Sequence, residues 1–179
     1  MYTFCADGTT EAKCYQLQTI DFSSEEQILD ILLDILKSEL PSRMAQVKDC
    51  QDNYFYISED AIDLLPPEKW THLNVILNPM QDKATYIDEN KQLRNVTYNF
   101  EAILTVSNEL KRCVTWELVR FKNVVEGLIM AAELYIDGYN SVYIEPQGFQ
   151  WFIPTPEEGV VRRSGAYRFS VTVTQMQNR

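Results

Sequence analysis

The stretch from Asn95 to Arg179 constrains the fold more than any other part of the chain, because its apolar period changes once and then changes back. Val96, Tyr98, Phe100, Ala102, Leu104 and Val106 alternate with Thr97, Asn99, Glu101 and Thr105. That is the period of a strand with one apolar and one mostly polar face. Val114, Leu118, Phe121, Val125, Leu128, Ala132 and Tyr135 then recur at steps of four and three, which places them on one helix face. The chain closes on a second alternating run, Tyr167, Phe169, Val171 and Val173. The pattern predicts a strand over 95–107 and a helix over 109–136, capped by Asn108 or Ser107 and stopped at Asp137-Gly138. Short strands over 141–145 and 150–153 are expected around a turn at Pro146-Gln147-Gly148, then a loop over 155–159 and a last strand over 166–176.

The first half is less regular. Ser23-Ser24-Glu25-Glu26 reads as a capping box opening a helix to Leu40, where Pro41 is expected to stop it. Ile28, Leu32, Ile35 and Leu36, widened by Leu29 and Leu33, form its apolar face. Strands are expected over 53–58 and 70–77, with a short helical turn between them. Residues 79–94 read as a polar, charged loop, and residues 1–22 as an N-terminal arm or short strand. The expectation is one α+β domain over 23–179. A mixed, mostly antiparallel sheet carries one long helix (about 109–136), with an N-terminal helix (about 24–40) packed on it. A chain of 179 residues that is 45% hydrophobic is large enough to bury a real core.

The formal net charge of -10 argues against general nucleic-acid binding, which needs a basic surface to displace counterions. The charge is uneven. Residues 1–89 carry 17 acidic and 6 basic side chains, and residues 90–179 carry 9 and 10. An acidic half joined to a near-neutral half suits a head-to-tail contact, though a solvated acidic surface gives the same composition. The N-terminus has no basic segment followed by an apolar run, and no stretch approaches the ~20 apolar residues that span a bilayer. A protein made and kept in a cytosol, with no membrane partner, is expected.

Chemistry-bearing patterns are sparse. His72 is the sole histidine, inside a predicted strand, so no nucleophile-His arrangement or zinc motif is expected, and a packed or edge role suits it best. Cys5, Cys14, Cys50 and Cys113 are scattered. Cys5 and Cys14 would face one another only across an N-terminal hairpin. In a reducing compartment all four are expected as thiols, with Cys113 in the core. No phosphate-cradling glycine loop occurs, and no catalytic, cofactor-binding or metal-ligating residue is assigned. Phe149, Trp151 and Phe152 beside Gly148 suggest an exposed aromatic tip for a subunit interface, with Arg162 and Arg163 as rim contacts. The alternative packs Trp151 inward on the long helix.

The helix over 23–40, the strand Val96–Val106, the helix over 109–136 and the closing run Gly165-Ala-Tyr-Arg-Phe-Ser-Val-Thr-Val-Thr174 give an element order that resembles the tail terminator (tail completion) proteins of tailed bacteriophages. The resemblance lies in order and size, not in a signature motif. It implies a structural virion protein, not an enzyme, synthesised in the host cytoplasm. It implies a homo-oligomeric ring, a hexamer, that caps the tail tube protein, joins the head-tail connector protein and lets DNA slide through its lumen without specific binding. It also implies that loop 79–94, through Asp82, Asp88 and Glu89, faces the lumen or a neighbouring ring. The alternatives are another neck ring protein, or a small cytosolic ligand-binding domain or enzyme.

Overall fold

A computed structural model describes residues 3–5, 14–16, 24–87, 93–132, 134, 139–157 and 159–176 of the chain. In it, the alternating runs Val96–Val106 and Tyr167–Val173 lie side by side at the centre of an α+β fold. They belong to β6 (Leu93–Asn108) and β9 (Val160–Met176), which pair antiparallel from Leu93↔Met176 to Asn108↔Val161. Around them are β3 (Ile62–Asp63), β4 (Leu73–Pro79) and β7 (Tyr139–Trp151), in the order β3-β4-β6-β9-β7. Strand β5 (Lys83–Tyr86) also pairs with β6, and β8 (Thr155–Glu157) with β9. Among the described residues only the β3–β4 pair is parallel, so the sheet is mixed and mostly antiparallel, as expected. Strands β1 (Thr3–Cys5) and β2 (Cys14–Gln16) form a separate antiparallel pair, with Cys5 opposite Cys14.

Two helices cover the apolar side of this sheet: α1 (Ser24–Met44) and α2 (Cys113–Met130). Helix α1 contributes Ile28, Leu32, Leu36, Leu40 and Met44, all fully buried at a spacing of four. Helix α2 contributes Val114, Leu118, Phe121, Val125 and Ile129. Phe100, Tyr167 and Phe169 meet them from the sheet, with Phe169 stacked 5.6 Å from Phe100 and 5.8 Å from Tyr167. The other side of β6–β9 is tied by polar pairs instead: Thr97–Thr172 at 3.0 Å, Thr105–Ser164 at 2.9 Å and Asn95–Thr174 at 2.8 Å. Among the described residues no helix is long and apolar enough to cross a membrane.

Several boundaries differ from the sequence expectation. Helix α1 runs through Pro41 to Met44, because Leu40 and Met44 continue the buried stripe past the proline. The missing proline N–H costs one helical bond, and burial of Met44 offsets it. The capping box at Ser23 lies outside the described residues. Helix α2 starts at Cys113, not Glu109, because Asn108 ends β6 and its Oδ1 accepts from the Leu110 N–H in a separate turn. It ends at Met130, with Ile129 taking the buried position after Val125; Asp137 and Gly138 lie outside the described residues. Residues 53–58 alternate in burial, with Phe55 and Ile57 inside, yet form no strand beyond the isolated Lys48–Tyr54 bridge. The segment packs against the 45–50 loop, where the Phe55 N–H reaches Val47 O at 3.0 Å. Residues 79–94 are not all loop, because β5 pairs with the overhang of β6 from Lys83↔Thr97 to Tyr86↔Arg94. The expected hairpin at 141–153 is one bulged strand. Gly148 has the positive φ foreseen for it, 102°, but spends it on a β-bulge between Pro146↔Phe169 and Gly148↔Arg168.

Tyr167 carries a defect in this core. Its hydroxyl is buried and has no hydrogen-bond partner among the described residues. Burial, with Glu126 nearby, pushes its pKa up to about 12. A buried unpaired hydroxyl costs about 1–3 kcal/mol, so Tyr167→Phe is expected to stabilise the fold by roughly 1 kcal/mol in urea unfolding; a loss of stability would contradict this reading.

Candidate functional site

Two places on the molecule gather side chains beyond what packing needs. The first is the C-terminal end of β7. Phe149 and Trp151 meet edge to face at 4.9 Å, and the Arg163 guanidinium lies 5.1 Å from the Trp151 ring centroid. Arg163 also donates to Thr115 Oγ1 on α2, so it ties β9 to the helix. Trp151 stays 42% exposed and Ile153, two residues on, is 89% exposed. Phe152 is half-buried and its N–H bonds Ser164 O at 3.0 Å. Arg162 does not join this group. Its guanidinium lies 4.6 Å from the Trp70 ring centroid, and it lines an open cleft of about 420 Å³ with His72, Asn108 and Glu109. Phe149, Trp151 and Arg163 therefore meet one another, and Arg162 is separated from them.

The second place lies at the N-terminus of α2. Cys113 opens the helix, and Glu117, one turn on, is fully buried. Its Oε2 lies 3.0 Å from His72 Nε2, and Asn108 Nδ2 donates to both carboxylate oxygens at 3.0 and 3.1 Å. The Cys50 backbone N–H adds another donor. An ionised carboxylate only accepts, so His72 presents Nε2–H to it. Burial pushes the Glu117 carboxyl up, but these hydrogen bonds and the imidazole charge outweigh it and hold the pKa below the ordinary carboxylate range. Glu117 therefore stabilises the fold at every pH above its unfolded value. That contribution is expected to fade as pH falls from about 4.5 through the lowered folded value, and acid unfolding of Glu117→Gln is expected to be shallower over that window.

Cys50 reaches this carboxylate from the 48–53 loop. Asp49 Oδ1 accepts from the Gln51 and Asn53 N–H groups at 2.8 and 2.9 Å, and Arg120 of α2 donates to Lys48 O and, at 3.0 Å, to Asp49 O. Burial opposes ionisation of Asp49, yet the bonds from Asn53 and Gln51 leave its pKa lowered. So anchored, Cys50 and Cys113 form a disulfide with Cα atoms 5.7 Å apart across 63 residues of sequence. This corrects the expectation that all four cysteines are thiols. The sulfurs and a Glu117 oxygen lie within 4.8 Å of one another. His72 sits just before β4, tilted on Phe55 at 5.6 Å, so its packed role goes with a polar one. Sequence reasoning missed this constellation, although Glu117 interrupts the apolar stripe between Val114 and Leu118.

Asp82 is exposed and borders a second open cleft, of about 480 Å³, with Lys83, Asn99, Gln147 and Arg168. Burial, then Asp82 and Glu26, raise the pKa of Glu25 at the start of α1, so Asp82 lies near that helix end. Asp88 and Glu89 lie outside the described residues. A scan against models of known protein families finds no match to the chain, and a search of curated proteins finds none either.

Proposed function

We propose that this chain is a structural ring protein of the tailed-bacteriophage neck, of the tail terminator type. Copies close into a hexameric ring on the head-proximal end of the tail tube, end its growth and bind the head connector, without catalysis. DNA slides through an acidic lumen, and exposed Asp82 faces that lumen or a neighbouring ring. The observation that carries this reading is the β7 edge. Strand β7 ends the strand order, so one side of its ladder has no strand partner among the described residues, and Trp151 and Ile153 stand exposed beside it. An uncovered edge is a template for pairing with another chain, and Trp is a frequent interface anchor. The element order and the division of charge between an acidic first half and a near-neutral second half support the same reading.

The Ile153→Asp change falls on a side chain that is almost wholly exposed, so it should leave folding within about 0.5 kcal/mol. Together with Trp151→Asp it is expected to convert an assembled species into a folded monomer in size-exclusion chromatography with light scattering. A ring that persists at the same concentration would remove β7 from the interface. Charge reversal at Asp82, Asp88 and Glu89 is expected to impair assembly or DNA passage; normal assembly and passage would count against the lumen assignment.

A further inference from the structure

We infer that Cys50 and Cys113 in their reduced form, together with Glu117, bind a thiophilic divalent cation of the Zn2+ or Cd2+ class. The two sulfurs and a Glu117 carboxylate oxygen already lie within 4.8 Å of one another. Zinc holds thiolates at about 2.3 Å and carboxylate oxygens at about 2.0–2.2 Å, which puts its ligand atoms roughly 3.4–3.8 Å apart. Opening the disulfide lets the sulfurs separate to that spacing while the Cα atoms keep their 5.7 Å distance.

The surroundings are those of a supported ligand set. Glu117 is fully buried, and both of its oxygens are oriented by Asn108, one of them also by His72. Metal-ligating carboxylates are commonly held in this way by outer hydrogen bonds. Arg120 and Asp49 fix the loop that carries Cys50, and helix α2 fixes Cys113 and Glu117 one turn apart. Cys50 is exposed, which gives the cation a way in and leaves the fourth position to water. The net charge of -10 raises the local cation concentration.

Disulfide and cation exclude one another. A dithiol reductant supplies two electrons and two protons, the Sγ–Sγ bond opens to two thiols, and the reductant closes to its own disulfide. Cation binding then displaces the two thiol protons, so uptake weakens as pH falls. The site would form in a monomer as in a ring.

The test is a titration of reduced, chelator-treated protein with Cd2+, read by thiolate-to-metal charge-transfer absorption and by native mass spectrometry. One equivalent per chain is expected to saturate the band, and the disulfide form should give none. Losing an outer-shell partner alone costs about 10–100-fold in metal affinity, so Cys50→Ser and Glu117→Gln are each expected to weaken binding at least roughly tenfold. Absence of the band in reduced protein, or an unchanged titration in Cys50→Ser, would overturn the site. Glu117 is buried, so folding of Glu117→Gln is checked by circular dichroism. Unchanged affinity in the folded variant would remove Glu117 from the ligand set. If that variant does not fold, Cys50→Ser, at an exposed position, decides the question alone.

Discussion

Replacing Cys50 and Cys113 together by serine is expected to lower the melting temperature by about 10 °C. The disulfide spans 63 residues of sequence, joining the loop after α1 to the first residue of α2. In the chain-entropy account, closing a loop of that length stabilises the fold by about 4 kcal/mol. For a chain of this size, each kcal/mol moves the midpoint by about 2–4 °C. The bridge also holds Cys50, whose backbone N–H helps to satisfy buried Glu117, so its loss loosens a charged group's partners. Reducing the wild-type protein in the presence of a chelator should reproduce the loss, and adding Zn2+ to the reduced protein should restore part of it. Equal melting of oxidised protein and the double serine variant would show that the bridge contributes nothing to the folded state.

The second large effect is expected at Gly165, in the middle of β9. An alanine there would put its Cβ 2.3 Å from Phe149 Cζ, 2.4 Å from Cε1 and 2.9 Å from the Gln150 carbonyl oxygen. The backbone oxygen cannot swing aside, and the Phe149 ring is braced edge-on by Trp151, which Arg163 covers in turn. Gly165→Ala is therefore expected to cost about 1–3 kcal/mol or more, as overpacking of a filled site does. Tryptophan fluorescence should change with it, because Trp151 has to follow Phe149. In Phe149→Leu the ring is gone, so adding Gly165→Ala should cost less than in wild type. Strict additivity of the two changes would show that the close approach is not what makes glycine necessary.

These two positions illustrate what local sequence carries and what it does not. The alternation of Val96 through Val106 and of Tyr167 through Val173 reports the buried side of a sheet, and all of these residues are buried. Burial on one side enforces a period of two, so that signal survives without any knowledge of partners. Strand β5 has no such signal. Lys83, Ala84 and Thr85 are exposed, and the strand exists because β6 overhangs the core and offers a ladder. Gly148 shows a subtler limit. Its positive φ was legible, but the same conformation serves a chain reversal or a bulge. Strand β9 decides between them by being long enough to pair on both sides, at Glu145↔Ser170 and Phe149↔Tyr167. The stop at Pro41 failed for a related reason, since the buried slot that Met44 fills is a tertiary fact.

The candidate sites divide in the same way. Phe149, Trp151 and Arg163 come together on neighbouring strands, and their proximity follows from short-range pairing. Arg162, one residue from Arg163, instead meets Trp70 before β4. The Cys50, His72, Asn108, Cys113 and Glu117 group comes from four separate segments that only the folded chain brings together. Its one local mark is a carboxylate in an apolar helix stripe, which a buried acid needs partners to occupy.

The measurement that bears most directly on the ring reading is native mass spectrometry of the purified protein, with negative-stain images of the same sample, alone and with tail tubes added. The expected result is a closed six-fold ring, or a monomer that becomes one on meeting tubes. A protein that stays monomeric and ignores the tubes would contradict it.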